Sequence, residues 1–559
     1  MDHSHDADRE HLHSLGYAQE LHRGMSTFSN FAISFSIISI LAGGMTSFWL
    51  GMVTGGPRVI TLGWIIVGFF ALLVGMAMGE ICSAYPTAGG LYYWSATLAR
   101  KNQARWSWFT GYFNLLGQIG VIASVDYALA IFIGYFIRMF SDSFHLGVGN
   151  IFIIFLIVLV VHGALNTFSI SLVKIFGDIS VWWHVAGVVV IAGILFIAPS
   201  NRRGLGGVFD EAPPGLTGWT GGAFVTVYLF ALGLLLAQYT ITGFDASAHV
   251  SEETVGARTE APKAIVRSIY ISAIAALVMN VAMIAALPKK GDESYAGLIF
   301  GDANDPFLVN AAPRVISAAV GTGAAKLIIF IAIVGQFFCG LASVTANSRM
   351  IYAFSRDGAL PGSKIWHKIN PKTRTPTNSV WLGVTLSALV GTTSLLVKGT
   401  GAGRYSTAFF AMTGICVIGL YISYAIPIYL RLTNPDFKVG PWNLKGRHKI
   451  VGWTSLIWIG FITVLFFAPV FWPFWKPWGA DNLFFDDGEG NTFYKVNNFN
   501  FTGPLIIGAA ILIALYWHFS GKKWFTGPKV QGTPEELRAI ERELDALEHG
   551  ALPADVEPT

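Results

Sequence analysis

Charge is scarce in this 559-residue sequence: Asp, Glu, Lys and Arg supply 13% of it, about half the share found in an ordinary soluble domain. At ~150 residues per domain the length would suit about four soluble units. With 53% hydrophobic residues and a mean hydropathy of +0.54, so few charges would leave apolar surface exposed on a scale that aggregates. The chain is therefore solvated by lipid. Its formal net charge is +4, with basic residues scattered between apolar runs, so it has no nucleic-acid footprint. Cysteine is scarcer still. Cys82, Cys339 and Cys416 all lie in or beside apolar segments, which argues against a disulfide framework. HExxH, GxSxG, P-loop and paired-cysteine metal spacings are missing, so an enzyme, a metal or a cofactor has little support. The first residues lack the short apolar core and cleavage site of a signal peptide.

What the sequence has instead is long apolar runs. Crossing a ~30 Å hydrocarbon core takes about 20 mostly apolar residues, and backbone groups in lipid must be paired within the segment, so the runs are helices. Twelve are present, at residues 28–48, 58–80, 106–138, 149–168, 173–198, 222–250, 267–287, 324–354, 377–397, 405–431, 450–471 and 503–519; they are numbered spans 1 to 12. The expected fold class is an all-α integral membrane protein. Its expected organisation is an N-terminal tail (1–24), a core in two halves (25–198 and 222–431), two added spans (450–519) and a C-terminal tail (520–559). Placing both termini in the cytoplasm puts most of the 37 Lys and Arg on the inner side, as the positive-inside rule requires.

The N-terminal tail carries His3, His5, His11 and His13, and reads as a solvated, disordered segment before a metal site. In the C-terminal tail, Thr533-Pro534-Glu535-Glu536 is a capping box with Pro at the first helical position. Leu537, Ile540, Leu544 and Leu547 follow as one apolar stripe, on a helix that either docks or frays. The loop from 471 to 501 is aromatic and acidic and suits the outer interface. Its Asn500-Phe501-Thr502 triplet is read as a chance glycosylation match.

Two spans are interrupted by glycine. Span 1 contains Ala42-Gly43-Gly44-Met45, and span 6 contains Ile241-Thr242-Gly243-Phe244-Asp245. They lie five spans apart, and interruptions at corresponding places of two halves point to a transporter of inverted repeats with its site at the membrane midplane. Unwinding frees N–H groups at the start of one half-helix and C=O groups at the end of another. With the N-terminus inside, the outer half of span 1 begins near Gly43 and offers donors and a positive dipole end to an anion. The outer half of span 6 ends near Ile241–Gly243 and offers carbonyls to a cation. Together they suit a zwitterion such as an amino acid.

At this point the sequence resembles the amino acid–polyamine–organocation permeases, in the amino acid/choline branch that includes GABA permeases. Four stretches carry the likeness: Ile37 to Trp49; Glu80 to Trp94 (EICSAYPTAGGLYYW); Gly243 to Thr254 (GFDASAHVSEET) continuing to Ala264; and Arg349 to Pro361 (RMIYAFSRDGALP). The resemblance implies the leucine-transporter fold, with spans 1–5 and 6–10 as inverted repeats and spans 11 and 12 outside them. It implies uptake of amino acids or related amines, usually with protons, at the plasma membrane. Carried over, the substrate carboxylate meets the backbone of Ala42, Gly43 and Gly44, and the amine meets the carbonyls of Ile241 and Gly243. Tyr239 and Phe244 match the aromatic gates of the family.

Ionisable residues at membrane depth cost at least ~2.5–3.5 kcal/mol each, so each needs a reason. Asp245, in the span 6 break, reads both as a proton-coupling acid and as an N-cap. His184 falls near the place where other branches carry a lysine that stands in for sodium; protonated, it would do the same and serve as a proton-coupling residue, and the other reading is a neutral ring bonded to a carbonyl. Ser343 and Thr345 in span 8 would complete a sodium site instead. Asp126, Asn114 and Gln118 lie on related faces of span 3, expected as interhelical hydrogen bonding. Lys174 and Asp178 are spaced as an ion pair. Glu252, Glu253 and Arg356 would close a cytoplasmic gate. The rival functions are a transporter of choline or a polyamine, for which the many aromatics would supply a cage, and a receptor that binds without moving its ligand.

Overall fold

The computed structural model describes residues 2–168, 170–211, 223–289, 294–302, 304–396, 406–471 and 502–548. They are built from helices, and eleven of these are long and apolar enough to cross a membrane. The twelfth crossing is span 6. Its first half (Ala223–Thr240) is short because the helix breaks there and resumes only as Ala246–His249. The other spans are Thr27–Ile38 with Gly43–Thr46 and Phe48–Thr54 (span 1), Pro57–Ala84, Gln103–Arg138, Val148–Phe168, Ile170–Ile197, Ala257–Ala285, Ala311–Arg356, Thr377–Gly391, Ser406–Thr433, His448–Phe471 and Thr502–Phe519. Both breaks expected from glycine are present, in spans 1 and 6, as the leucine-transporter fold requires. Span 8 begins a dozen residues before its apolar run, across a kink at Gly321 (φ 75°).

Spans 1, 3, 8 and 10 form the interior, and spans 4, 5, 11 and 12 form the rim. In span 1, 89% of the apolar window is buried; in span 12, 17% is. Rim residues such as Val189, Ile457 and Leu512 expose their side chains, which in this composition is the lipid-facing belt. Glycine lets the interior close. A Cβ on Gly117 or Gly120 of span 3 would lie 2.6 and 2.8 Å from backbone nitrogens of Leu420 and Cys416 in span 10, so those two helices meet backbone to backbone.

The N-terminal tail is not a solvated coil. Asp2–Ser14 is a helix with Leu12 buried. His11 Nε2 lies 3.3 Å from the Ala84 carbonyl, and His13 Nε2 lies 2.6 Å from Glu541 Oε1, so these two histidines serve separate structural partners. The C-terminal helix, Pro534–Glu548, docks. Its capping box closes reciprocally, with Thr533 N–H donating to Glu536 Oε2 (2.7 Å) and Glu536 N–H to Thr533 Oγ1 (3.4 Å). Leu537 is buried and Leu544 half-buried. A burial-driven contact between two tails was invisible to each tail's own hydropathy. The tails share one face, as an even number of crossings demands; it is called the terminal face below. The 471–501 loop beyond Phe471, with Asn500 and Phe501, lies outside the described residues.

Asp357, just past span 8, ties this face together. It accepts from Tyr17 Oη (3.1 Å), Tyr92 Oη (2.8 Å) and the Lys529 N–H (3.1 Å). Burial pushes its carboxyl up to about 6, against the pull of Arg356 and of these donors. A carboxyl raised on folding contributes stability that is complete below its ordinary value of 3.8 and is lost as pH rises through about 6. The tails should therefore exchange amide hydrogens more slowly, after correction for intrinsic rates, at pH 5 than at pH 7.5. Asp357→Asn should flatten that difference, and a persisting pH response in the variant would refute the assignment.

Candidate functional site at the two helix breaks

Span 1 stops at Ser39, a non-glycine residue in the left-handed region (φ 44°). Its hydroxyl reaches Gln336 Oε1 and His184 Nε2, each at 3.4 Å. The helix restarts where the Gly43 N–H donates to the Ser39 carbonyl (2.8 Å). Span 6 turns at Gly243 (φ 82°). A Cβ on Gly43 would sit 2.5 Å from Thr240 Cγ2, and one on Gly243 would sit 2.5 Å from Ile37 Cγ2. Glycine is needed at both places because the broken backbone of each span packs directly on a side chain of the other. Below the breaks the spans are stitched together: Ser34 Oγ donates to the Phe244 carbonyl (2.9 Å) and accepts from the Ser247 N–H (2.9 Å), and Asn30 Nδ2 donates to the Ser247 carbonyl (3.0 Å).

A cavity of about 20 Å³ lies at this junction, lined by Ser39, Gly43, Tyr239, Thr240, Thr242 and Gln336 and by the thiols of Cys339 and Cys416. That is about the room of one water. Of the residues expected to hold substrate, Gly43 and Tyr239 line it. Tyr239 donates to Ser124 Oγ (3.2 Å). Ala42 is buried beside them. Gly44 faces away: a Cβ there would meet Asn280 Oδ1 of span 7 at 2.8 Å. The Ile241 carbonyl accepts from Tyr421 Oη (3.3 Å), Gly243 packs on Ile37, and the Phe244 ring lies 5.2 Å from that of Tyr424.

Asp245 is fully buried and surrounded by donors. Oδ2 accepts from Asn114 Nδ2 and Gln118 Nε2 of span 3, both at 3.1 Å, and lies 3.3 Å from His249 Nε2. Oδ1 accepts from Tyr424 Oη of span 10 (2.7 Å). Asn114 and Gln118 thus serve span 6 and Asp126 contacts His162 of span 4 (3.0 Å), the interhelical hydrogen bonding expected of them, made to two different spans. His184 lies between span 1 and span 8. Its Nδ1 is 2.8 Å from the Ser180 carbonyl, which can only accept, so Nδ1 carries the hydrogen and the ring is satisfied while neutral. Ser343 Oγ donates to the Cys339 carbonyl (2.8 Å) and Thr345 Oγ1 to Asn166 Oδ1 (2.7 Å); two positions apart on a helix, they are not brought together. Among the described residues no group of three or more His, Cys, Asp or Glu could hold a metal ion. Lys174 donates to the Gly24 carbonyl (2.9 Å) and Asp178 accepts from Ser29 (3.3 Å). Among the described ion pairs they are not joined, because each is drawn to the segment entering span 1.

The gate residues separate into two pairs. Glu252 meets Arg356 (3.2 Å) and Glu253 meets Arg349 (2.7 Å), the latter with both side chains fully buried. The Arg356 guanidinium also lies 3.9 Å from the Tyr17 ring centroid, under the N-terminal tail. Arg349, His249, Gln336 and Thr242 were not singled out from sequence. Arg349 and His249 lay in plain view inside the quoted motifs, and Gln336 is an amide in the middle of the span 8 apolar run, a polar group at membrane depth that asks for a partner.

Residues 25–516 match the sequence profile described as amino acid permease. The chain is 38% identical over 548 residues to amino-acid permease BAT1 of Arabidopsis thaliana, covering 94% of this chain and 96% of that protein. It is 38% identical over 544 residues to the BAT1 homolog of Oryza sativa subsp. japonica, covering 94% and 96%. Over 530 residues it is 25% identical to amino-acid permease 2 of Neurospora crassa, covering 92% and 88%.

Proposed function

The chain belongs to the amino acid permease family, and from that membership we propose that it takes up amino acids or related amines such as GABA across the plasma membrane, coupled to protons, by alternating access. The observation that carries the reading is a buried acid, Asp245, at the junction of two broken spans. The restarted end of span 1 at Gly43 and Gly44 supplies helix-terminal N–H groups to a substrate carboxylate once the site opens, the Gly43 N–H leaves the Ser39 carbonyl and Gly44 turns from Asn280 of span 7. The Ile241 carbonyl receives the amine once Tyr421 gives it up, and Tyr239 closes over the bound molecule. The terminal face is cytoplasmic, closed here by Glu252–Arg356 and Glu253–Arg349. A proton is favoured over sodium because the Ser343 and Thr345 hydroxyls are occupied in different directions, and an oxygen-lined sodium site needs them to converge.

The test is radiolabel uptake into proteoliposomes holding the purified protein, with GABA, a panel of amino acids, choline and putrescine, each with a proton gradient, a sodium gradient or neither. Accumulation of an amino acid or GABA under the proton gradient alone is expected. Accumulation of only choline or putrescine, dependence on sodium alone, or binding without flux would each overturn the proposal.

A further inference from the structure

His249 is the buried ionisable group that the preceding account leaves without a task. It stands one turn after Asp245 on the short inner segment of span 6 and is fully buried. Its Nδ1 is 2.9 Å from the Ala88 carbonyl. A carbonyl can only accept, so Nδ1 carries a hydrogen. Nε2 then faces Asp245 Oδ2 at 3.3 Å. If that nitrogen and that carboxylate were both unprotonated, two lone pairs would be pressed together in a water-poor interior. The contact requires one proton, held on either partner. The ring has little freedom to avoid it: Gly90, with φ +47°, brings its backbone so close that a Cβ would lie 3.2 Å from His249 Cε1.

The residue whose carbonyl holds His249 also holds the gate, through the N–H of the neighbouring peptide unit. The Ala88 N–H donates to Glu252 Oε1 (2.9 Å), and Glu252 is the partner of Arg356. A continuous series of contacts therefore runs from Asp245 through His249, the Ala88 backbone and Glu252 to Arg356 and the Tyr17 ring. The other titratable or charged groups around the pair are Tyr421, Tyr424 and Cys416 of span 10, and Glu253 with Arg349 beyond it. Tyr424 donates to the opposite oxygen of Asp245, and the Arg349 charge is matched by Glu253. Span 3 contributes only the neutral amides of Asn114 and Gln118.

We propose that Asp245 and His249 together hold the single coupling proton, and that the Ala88 backbone, through its C=O and its N–H, passes the pair's protonation state to the Glu252–Arg356 gate. This rests on the proton-coupled reading above. With the proton present, His249 bridges Asp245 and Ala88, and the terminal face stays shut. When the proton leaves to water at the terminal face, the lone pairs of His249 Nε2 and Asp245 Oδ2 repel, the ring, still carrying its Nδ1 hydrogen, is pushed off the Ala88 carbonyl, and the 85–90 loop releases Glu252.

The experiment uses full-length protein in proteoliposomes with a radiolabelled amino acid that the wild type accumulates. For one proton per substrate, a one-unit pH gradient supports at most about tenfold accumulation. His249→Gln should reduce accumulation to none while retaining gradient-free exchange of labelled for unlabelled substrate, which needs no net proton movement. An unchanged pH profile for the variant, or equal loss of accumulation and exchange, would overturn the inference while leaving proton coupling intact. A wild type indifferent to the pH gradient would overturn both. A second measurement needs no folded variant. Hydrogen exchange of the wild type, corrected for intrinsic rates, should show residues 85–90 and 250–256 losing protection together as pH rises; pH-independent protection there would also refute the link.

Discussion

Asp245→Asn should leave a folded protein that no longer concentrates its substrate. The geometry predicts that asparagine is tolerated. Its carbonyl oxygen can take the place of Oδ2 and accept from Asn114, Gln118 and a His249 ring held protonated at Nε2, and its amide can donate to the Tyr424 oxygen, replacing the contacts seen at 3.1, 3.1, 3.3 and 2.7 Å. What asparagine cannot do is bind and release a proton. Accumulation driven by a one-unit pH gradient should fall from as much as about tenfold to none. Asp245→Leu is the contrasting variant. It leaves two amide donors unsatisfied in the interior, each costing about 1–3 kcal/mol, so its folded yield should fall as well. Gradient-driven accumulation by a well-folded asparagine variant would show that the coupling proton resides elsewhere.

Arg349→Met should damage the fold more than any other single change at the terminal face. Arg349 and Glu253 meet at 2.7 Å with both side chains fully buried. Removing one partner strands the other charge, and such losses typically run to about 3–5 kcal/mol. The expected result is loss of the monodisperse peak when detergent-extracted protein is passed over a sizing column. Adding Glu253→Gln should restore most of that peak, because an unpaired neutral amide is far cheaper to bury than an unpaired carboxylate. A double variant no better behaved than the single one would mean that Arg349 acts by packing and not by charge. Arg356→Met should be milder, since Glu252 keeps the Ala88 N–H as a donor.

The span count, the two breaks and Asp245 were legible in the amino-acid order. Apolar length is a local property, and an acid or a glycine pair inside such a run stands out against it. The same logic gives the kind of contact but not the partner where a residue's role depends on what another segment brings to it. Asn114 and Gln118 share a face with Asp126 in span 3, yet the first two reach span 6 and the third reaches span 4. Gly44 sits beside Gly43 in the same break, but one contacts span 7 and the other span 6. The N-terminal histidines resemble a solvated tail until Glu541, more than five hundred residues away, is set beside His13.

Composition and periodicity alone thus determined that this chain lives in lipid, crosses it twelve times and opens two of its helices midway. Those outcomes follow from the energy of each segment against the bilayer, and need no knowledge of neighbours. Which carboxylate meets which arginine, which glycine faces the cavity, and that His249 shares a proton with Asp245 were decided by tertiary packing. Hydrogen bonds and charge pairs in a dry interior depend on ångström distances between segments far apart in the chain, and those distances exist only after the helices have packed.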